Sequence, residues 1–153
     1  MRFRISFGIS AASVAVALAL TACTSNPPAP ESGGVPAATV AFVGLTDGAE
    51  VASPLEVCLE ATGVTIELAG EVKPGFGHHH LIIDPTSDEA AKYAAGTTEA
   101  IGKDDTHLHL GDGSTCKTVD LMPGEHELLA VVADGAHAPL SPPVVASVKV
   151  MVQ

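Results

Sequence analysis

Short β-branched segments that alternate in polarity and recur between turn residues constrain this chain more than any other feature. Thr39 to Val43 (TVAFV) is β-branched and aromatic, and residues 45–49 follow it as a turn built on Asp47-Gly48. In residues 54–60, Leu55, Val57 and Leu59 alternate with Glu56, Cys58 and Glu60, the period of a strand with one face inward. Residues 64–68, 78–83, 107–110, 115–121, 125–133 and 144–152 continue the series. Eight such segments predict an all-β domain, a single antiparallel β-sandwich of immunoglobulin-like type. One stretch departs from the pattern. Thr86-Ser87-Asp88-Glu89 fits a capping box, and the Ala-rich run behind it stops at Gly96, so a short helix is expected over residues 87–95. This insertion runs on to Asp105 and separates two histidine-bearing strands by some twenty residues, a length that is usually functional or mobile in a compact domain.

Upstream of the strands the chain reads as an export leader. Arg2 and Arg4 form a positive start, and residues 9–20 form an apolar run of about a dozen residues, too short to span a bilayer. The run ends in Leu20-Thr21-Ala22-Cys23, which resembles the lipobox of bacterial lipoproteins. The expected organisation is a signal peptide over residues 1–22, a lipidated Cys23 opening a Pro/Ser/Gly-rich tether over residues 23–37, and a folded domain over residues 38–153. The protein would then be exported and lipid-anchored, on the outer face of the cell membrane or on the outer membrane. With Cys23 carrying lipid, Cys58 and Cys116 remain. An even pair outside the cytoplasm suggests a disulfide, with two buried free thiols or, less in keeping with an oxidising compartment, a metal-thiolate pair as the alternatives.

The whole chain carries 7 Lys+Arg against 18 Asp+Glu, a formal net charge of −11, and Arg2 and Arg4 belong to the leader. Such a surface repels phosphate backbones and anionic headgroups, which argues against nucleic-acid binding and makes cations the natural partners. All 7 histidines lie between His78 and His137. On strands, residues two apart share a face, so His78 with His80, and His107 with His109, form two-point ligands suited to zinc or copper. His126 and His137, in Gly124-Glu125-His126 and Asp134-Gly135-Ala136-His137, sit by turns and complete a candidate ligand set of six. Asp134 is the candidate carboxylate to orient an imidazole from behind. His79 shares its face with Leu81 and Ile83 and reads as a packed residue; Leu108 and Leu110 supply the apolar face opposite His107 and His109. Asp84-Pro85 and Asp112-Gly113 read as turns.

The strings Gly-His-His-His-Leu-Ile-Ile-Asp (77–84), His-Leu-His-Leu-Gly-Asp-Gly-Ser-Thr (107–115), Leu-Met-Pro-Gly-Glu-His-Glu-Leu (121–128) and Asp-Gly-Ala-His-Ala-Pro (134–139), with Ser-Pro-Pro-Val-Val-Ala-Ser after them, resemble in their joint order the DUF4399 family, a bacterial exported domain of unknown function. The resemblance runs from about Val40 to Val152 and implies one compact β-rich domain without an assigned activity. Three functions are open at this level. The first is an envelope lipoprotein that binds a transition metal, copper or zinc, for storage, delivery or bracing. A metalloenzyme resembling Cu/Zn superoxide dismutase is the second, and a metal-independent, pH-responsive interaction module is the third. Hydrolase chemistry lacks its parts: the chain has no Gly-x-Ser-x-Gly, no His-Glu-x-x-His and no phosphate-cradling loop, so no catalytic residue is assigned.

Overall fold

The computed structural model describes residues 37–153; the expected leader, Cys23 and the expected tether up to residue 36 lie outside them. The described residues form an all-β sandwich of nine strands and one helix: β1 (Thr39–Val43), β2 (Ala49–Val51), β3 (Leu55–Thr62), β4 (Thr65–Ile66), β5 (Phe76–Ile83), α1 (Ser87–Ala95), β6 (His107–Leu110), β7 (Cys116–Val119), β8 (Gly124–Ala133) and β9 (Val145–Val152). One sheet has three strands in the order β1-β3-β7. The other has the order β2-β9-β8-β5-β4, with β6 also paired to β5.

Alternation accounts for the layer between the sheets. Val57 and Leu59 of β3 share this core with Val148, Val150 and Val152 of β9 and with Leu81, Leu128, Ala130 and Val132. In β3 and β9 one residue in two points at this core, as the sequence pattern requires. The central strands of the larger sheet differ. In β8, residues 128–133 (Leu-Leu-Ala-Val-Val-Ala) are buried on both faces, as is most of β5. A continuous apolar run is what a strand covered on both sides needs. The cover on the outer face is the insertion: Tyr93 of α1 and Ile101 pack with Ile82, Leu129, Val131 and Ala133 in a second, smaller core. Thr86 caps α1, its Oγ1 accepting the Glu89 amide at 3.2 Å.

Residues 45–51 depart from the sequence expectation, since a strand, β2, follows what reads as a turn alone. Gly48 N–H donates to the Lys149 carbonyl at 2.8 Å and Asp47 Oδ1 accepts the Lys149 amide at 3.0 Å, so the turn is stitched to β9 and the next residues pair with it in parallel. The edge partner, not local propensity, makes this strand. β4 likewise pairs in parallel with β5.

Cys58 and Cys116 face one another on β3 and β7 and form a disulfide. It closes a loop with a sequence separation of 58. Replacing both cysteines by alanine should lower the unfolding free energy by about 4 kcal/mol in a urea titration, the loss of loop-closure entropy from the unfolded chain. A double variant as stable as the wild type would contradict that contribution.

Candidate metal centre

Strand register assembles the centre. His78, His80 and Ile82 project from the outer face of β5, and β6 pairs so that His109 stands directly across from His80. On the other side of β5, His78 lies opposite Ala133 and His80 opposite Val131, whose small side chains leave room for the rings. His137 arrives from the turn after β8. There Asp134 Oδ1 accepts the amides of Ala136 at 2.9 Å and Ala138 at 3.0 Å, and His137 takes a left-handed φ of 68°. Its carbonyl accepts the Ile101 amide at 2.8 Å, which ties the turn to the insertion.

Four imidazoles therefore converge. One ring nitrogen from each of His78, His80, His109 and His137 lies within 4.8 Å of the other three. His78 Nε2 is 3.0 Å from His80 Nε2 and 3.1 Å from His137 Nδ1. The His109 and His137 ring centroids are 4.7 Å apart. His78 and His80 are fully buried, at 0% and 1% exposure, whereas His109 and His137 are half-buried and form the solvent side of the cluster.

Burial dictates the charge state. Desolvation, then the neighbouring His109 and His137, pulls His78 down to about 4; desolvation, then His78 and His109, pulls His80 down to about 3. Desolvation followed by His137 also lowers His109. These rings are neutral at pH 7, each with one N–H and one lone pair. Because the Nε2 atoms of His78 and His80 face each other, at most one bears a proton, and the other ring must carry its proton on Nδ1. Both Nδ1 atoms are buried without a partner, as is His109 Nε2. At least one buried N–H is therefore orphaned, at a cost of about 1–3 kcal/mol. Inward-facing lone pairs of this kind suit a cation.

The other predicted ligands lie elsewhere. His107 shares the face of His109, but its Nε2 donates to Glu89 Oε1 at 2.8 Å and its Nδ1 to Asp104 Oδ1 at 2.9 Å. His126 lies at the far end of β8 and shares its face with Leu128, Ala130 and Val132, on the opposite side of the sheet from His78 and His80. Its Nδ1 donates to Asp84 Oδ2 at 2.7 Å and its Nε2 to the Met122 carbonyl at 2.8 Å. A ring that donates from both nitrogens is an imidazolium with no lone pair for a metal. Burial lowers both of these histidines, but their carboxylate hydrogen bonds outweigh it and the net shift is upward. Asp134 builds the turn that carries His137, with its Oδ1 on backbone amides. Asp84, which reads as a turn residue in the sequence, orients the imidazole of His126. Asp112 Oδ1 accepts the Ser114 amide within its turn. His79 points into the main core with both ring nitrogens unpartnered, and burial pulls it down to about 4. Ile101 and Glu89, which hold His137 and His107 in place, carry no sequence signal for those contacts.

The family model described as "Domain of unknown function (DUF4399)" matches residues 57–153, more than half of the chain. The chain belongs to the DUF4399 family. All four clustered histidines, both cysteines of the disulfide and every strand from β4 onward fall inside the DUF4399 match, while β1 and β2 precede it. No curated protein and no solved structure matches the chain.

His126 supplies a pH test away from the cluster. With its value raised above the ordinary 6.5, folding favours its protonated form. The contribution of the clamp is complete below about pH 6.5 and is lost as the pH rises through the raised folded-state value. The stability gap between wild type and H126Q in urea should thus be larger near pH 6 than near pH 9; a gap that is flat or widens with pH would contradict the clamp.

Proposed function

We propose that this domain binds one transition-metal ion, copper or zinc, through His78, His80, His109 and His137. The convergence of four imidazole ligand atoms within 4.8 Å on paired strands and one tight turn carries the reading. The chemistry of the donors supports it. A tetrahedral ion with metal–nitrogen bonds of about 2.0–2.1 Å has ligand atoms about 3.3 Å apart, close to the 3.0 and 3.1 Å separations around His78. Four imidazole nitrogens suit Zn(II) and Cu(II), and at equal availability such a site favours Cu(II). Among the described residues no sulfur ligand enters, since Cys58 and Cys116 are bonded to each other and Met122 and Met151 are exposed.

One feature sets this centre apart from the usual histidine–metal site. The Nδ1 atoms of His78 and His80 have no carboxylate or carbonyl behind them. Strand register and packing orient these rings instead. The half-buried pair His109 and His137 gives an ion its route in and out, and the acidic surface concentrates cations around it. These properties fit a binding module for storage, delivery or bracing. Lipidation at Cys23 would hold that module at the envelope surface, with the membrane as its partner through the lipid.

Elemental analysis and titration of the purified protein with Cu(II) and Zn(II) test the proposal. The wild type should take up one equivalent, H109A/H137A should weaken binding by about 100-fold or more, and H126A should bind as the wild type does. Uptake that is weak and non-stoichiometric in the wild type would overturn the reading and leave a metal-independent interaction module. Equal binding by the wild type and H109A/H137A would place any metal elsewhere.

A further inference from the structure

The His109 ring folds back over the backbone that follows it. An ideal Cβ at Gly111 would fall among the atoms of that ring, overlapping Cε1 and Nε2 and lying 2.8 Å from Nδ1. Gly111 is not among the residues of positive φ, so its backbone conformation is open to any L-residue. Position 111 requires the absence of a side chain rather than conformational freedom. The space is taken by a ring whose centroid lies 4.8 Å from that of His78 and 5.1 Å from that of His80.

The surrounding backbone holds this arrangement from outside. The Gly111 carbonyl accepts the Ala69 amide at 2.9 Å, and the next amide, that of Gly70, donates to the Gly135 carbonyl at 2.9 Å. Two consecutive amides of the segment after β4 thus tie the turn that follows His109 to the turn that precedes His137. Gly135 passes so close to Glu71 that a Cβ there would overlap the Glu71 backbone. The two solvent-side histidines share no strand pairing, and this strap is what fixes one turn against the other.

We infer that Gly111 is a positioning residue of the metal centre: by leaving its side-chain volume to the His109 ring, and with its carbonyl strapped to Ala69, it aims His109 at His78, His80 and His137. The inference rests on the metal-binding reading above. A methyl group at position 111 expels the ring and turns a four-histidine site into a three-histidine one.

The test is a Cu(II) titration with EPR on wild type, H78A, H109A, G111A, H109A/G111A and G102A, all as the full chain. G111A should lose about 10–100-fold in affinity and give the EPR signature of H109A. Adding G111A to H109A should change affinity by less than about twofold, because Gly111 acts only through that ring. G102A, whose ideal Cβ meets nothing within 4 Å, should bind as the wild type does. Should G111A fail to fold, H109A/G111A decides, because removing the ring removes the collision and restores folding. Wild-type affinity and EPR in G111A beside an impaired H109A would overturn the inference alone. So would additive losses in the double variant, or a double variant that still fails to fold. If H78A and H109A both bind Cu(II) as the wild type does, the metal reading itself fails.

Discussion

The register of β6 on β5 is the constraint on which the rest depends. It sets His80 opposite His109 and Leu110 opposite His79, so one pairing decides both what enters the core and what faces the cluster. Leu110 is 2% exposed. Burying a leucine side chain is worth roughly 1.5–3 kcal/mol, and a slip of one residue would turn Leu108 and Leu110 outward and drive His107 and His109 into the apolar layer. The hydrophobic core thereby enforces the geometry of a polar site on the other side of the sheet. Nothing in the histidines themselves has to hold that register.

The cost falls on the imidazoles. His78 and His80 are desolvated on a central strand that is covered on both faces, and their outward nitrogens meet no partner. The two-faced burial of β5 and β8 keeps them there, because the insertion seals the outer face with Tyr93 and Ile101. His107 secures that seal by joining β6 to Glu89 of α1 and to Asp104. Histidines thus serve opposite ends in neighbouring positions. Those paired with carboxylates are cationic clamps, and the buried pair His78 and His80 are neutral donors. An ion bound by the second kind stabilises only the folded state, so metal and fold are thermodynamically linked.

Much of this fold was legible in the residues because period and burial coincide. The alternation of β3, the capping box at Thr86 and the turn chemistry after most strands state their structure locally. β2 was not legible, since its three residues owe their conformation to the edge of β9. At the site, the His-x-His spacing of His78 and His80 says that they share a face, and it says the same of His107 and His109. It does not say which of these meet, because that depends on a strand register set by leucines and on a turn closing from a distant part of the chain. His126 shows the limit most plainly. It lies seven residues from the β8 position that pairs with His78, or about 23 Å of strand, and on the other face. The His-Leu-His-Leu-Gly string contained the signal for Gly111, but only the folded ring gives that glycine a role.

The central claim is that four imidazoles, three on this sheet and one on the turn after β8, share one ion. X-ray absorption spectroscopy of the Zn(II)- or Cu(II)-loaded protein tests it most directly, because imidazole rings leave a multiple-scattering signature and metal–ligand distances report the donors. The account predicts a single ion with four nitrogen donors, all from imidazole, at about 2.0–2.1 Å for zinc. Coordination dominated by carboxylate or water oxygen, or by fewer than four imidazoles, would contradict it.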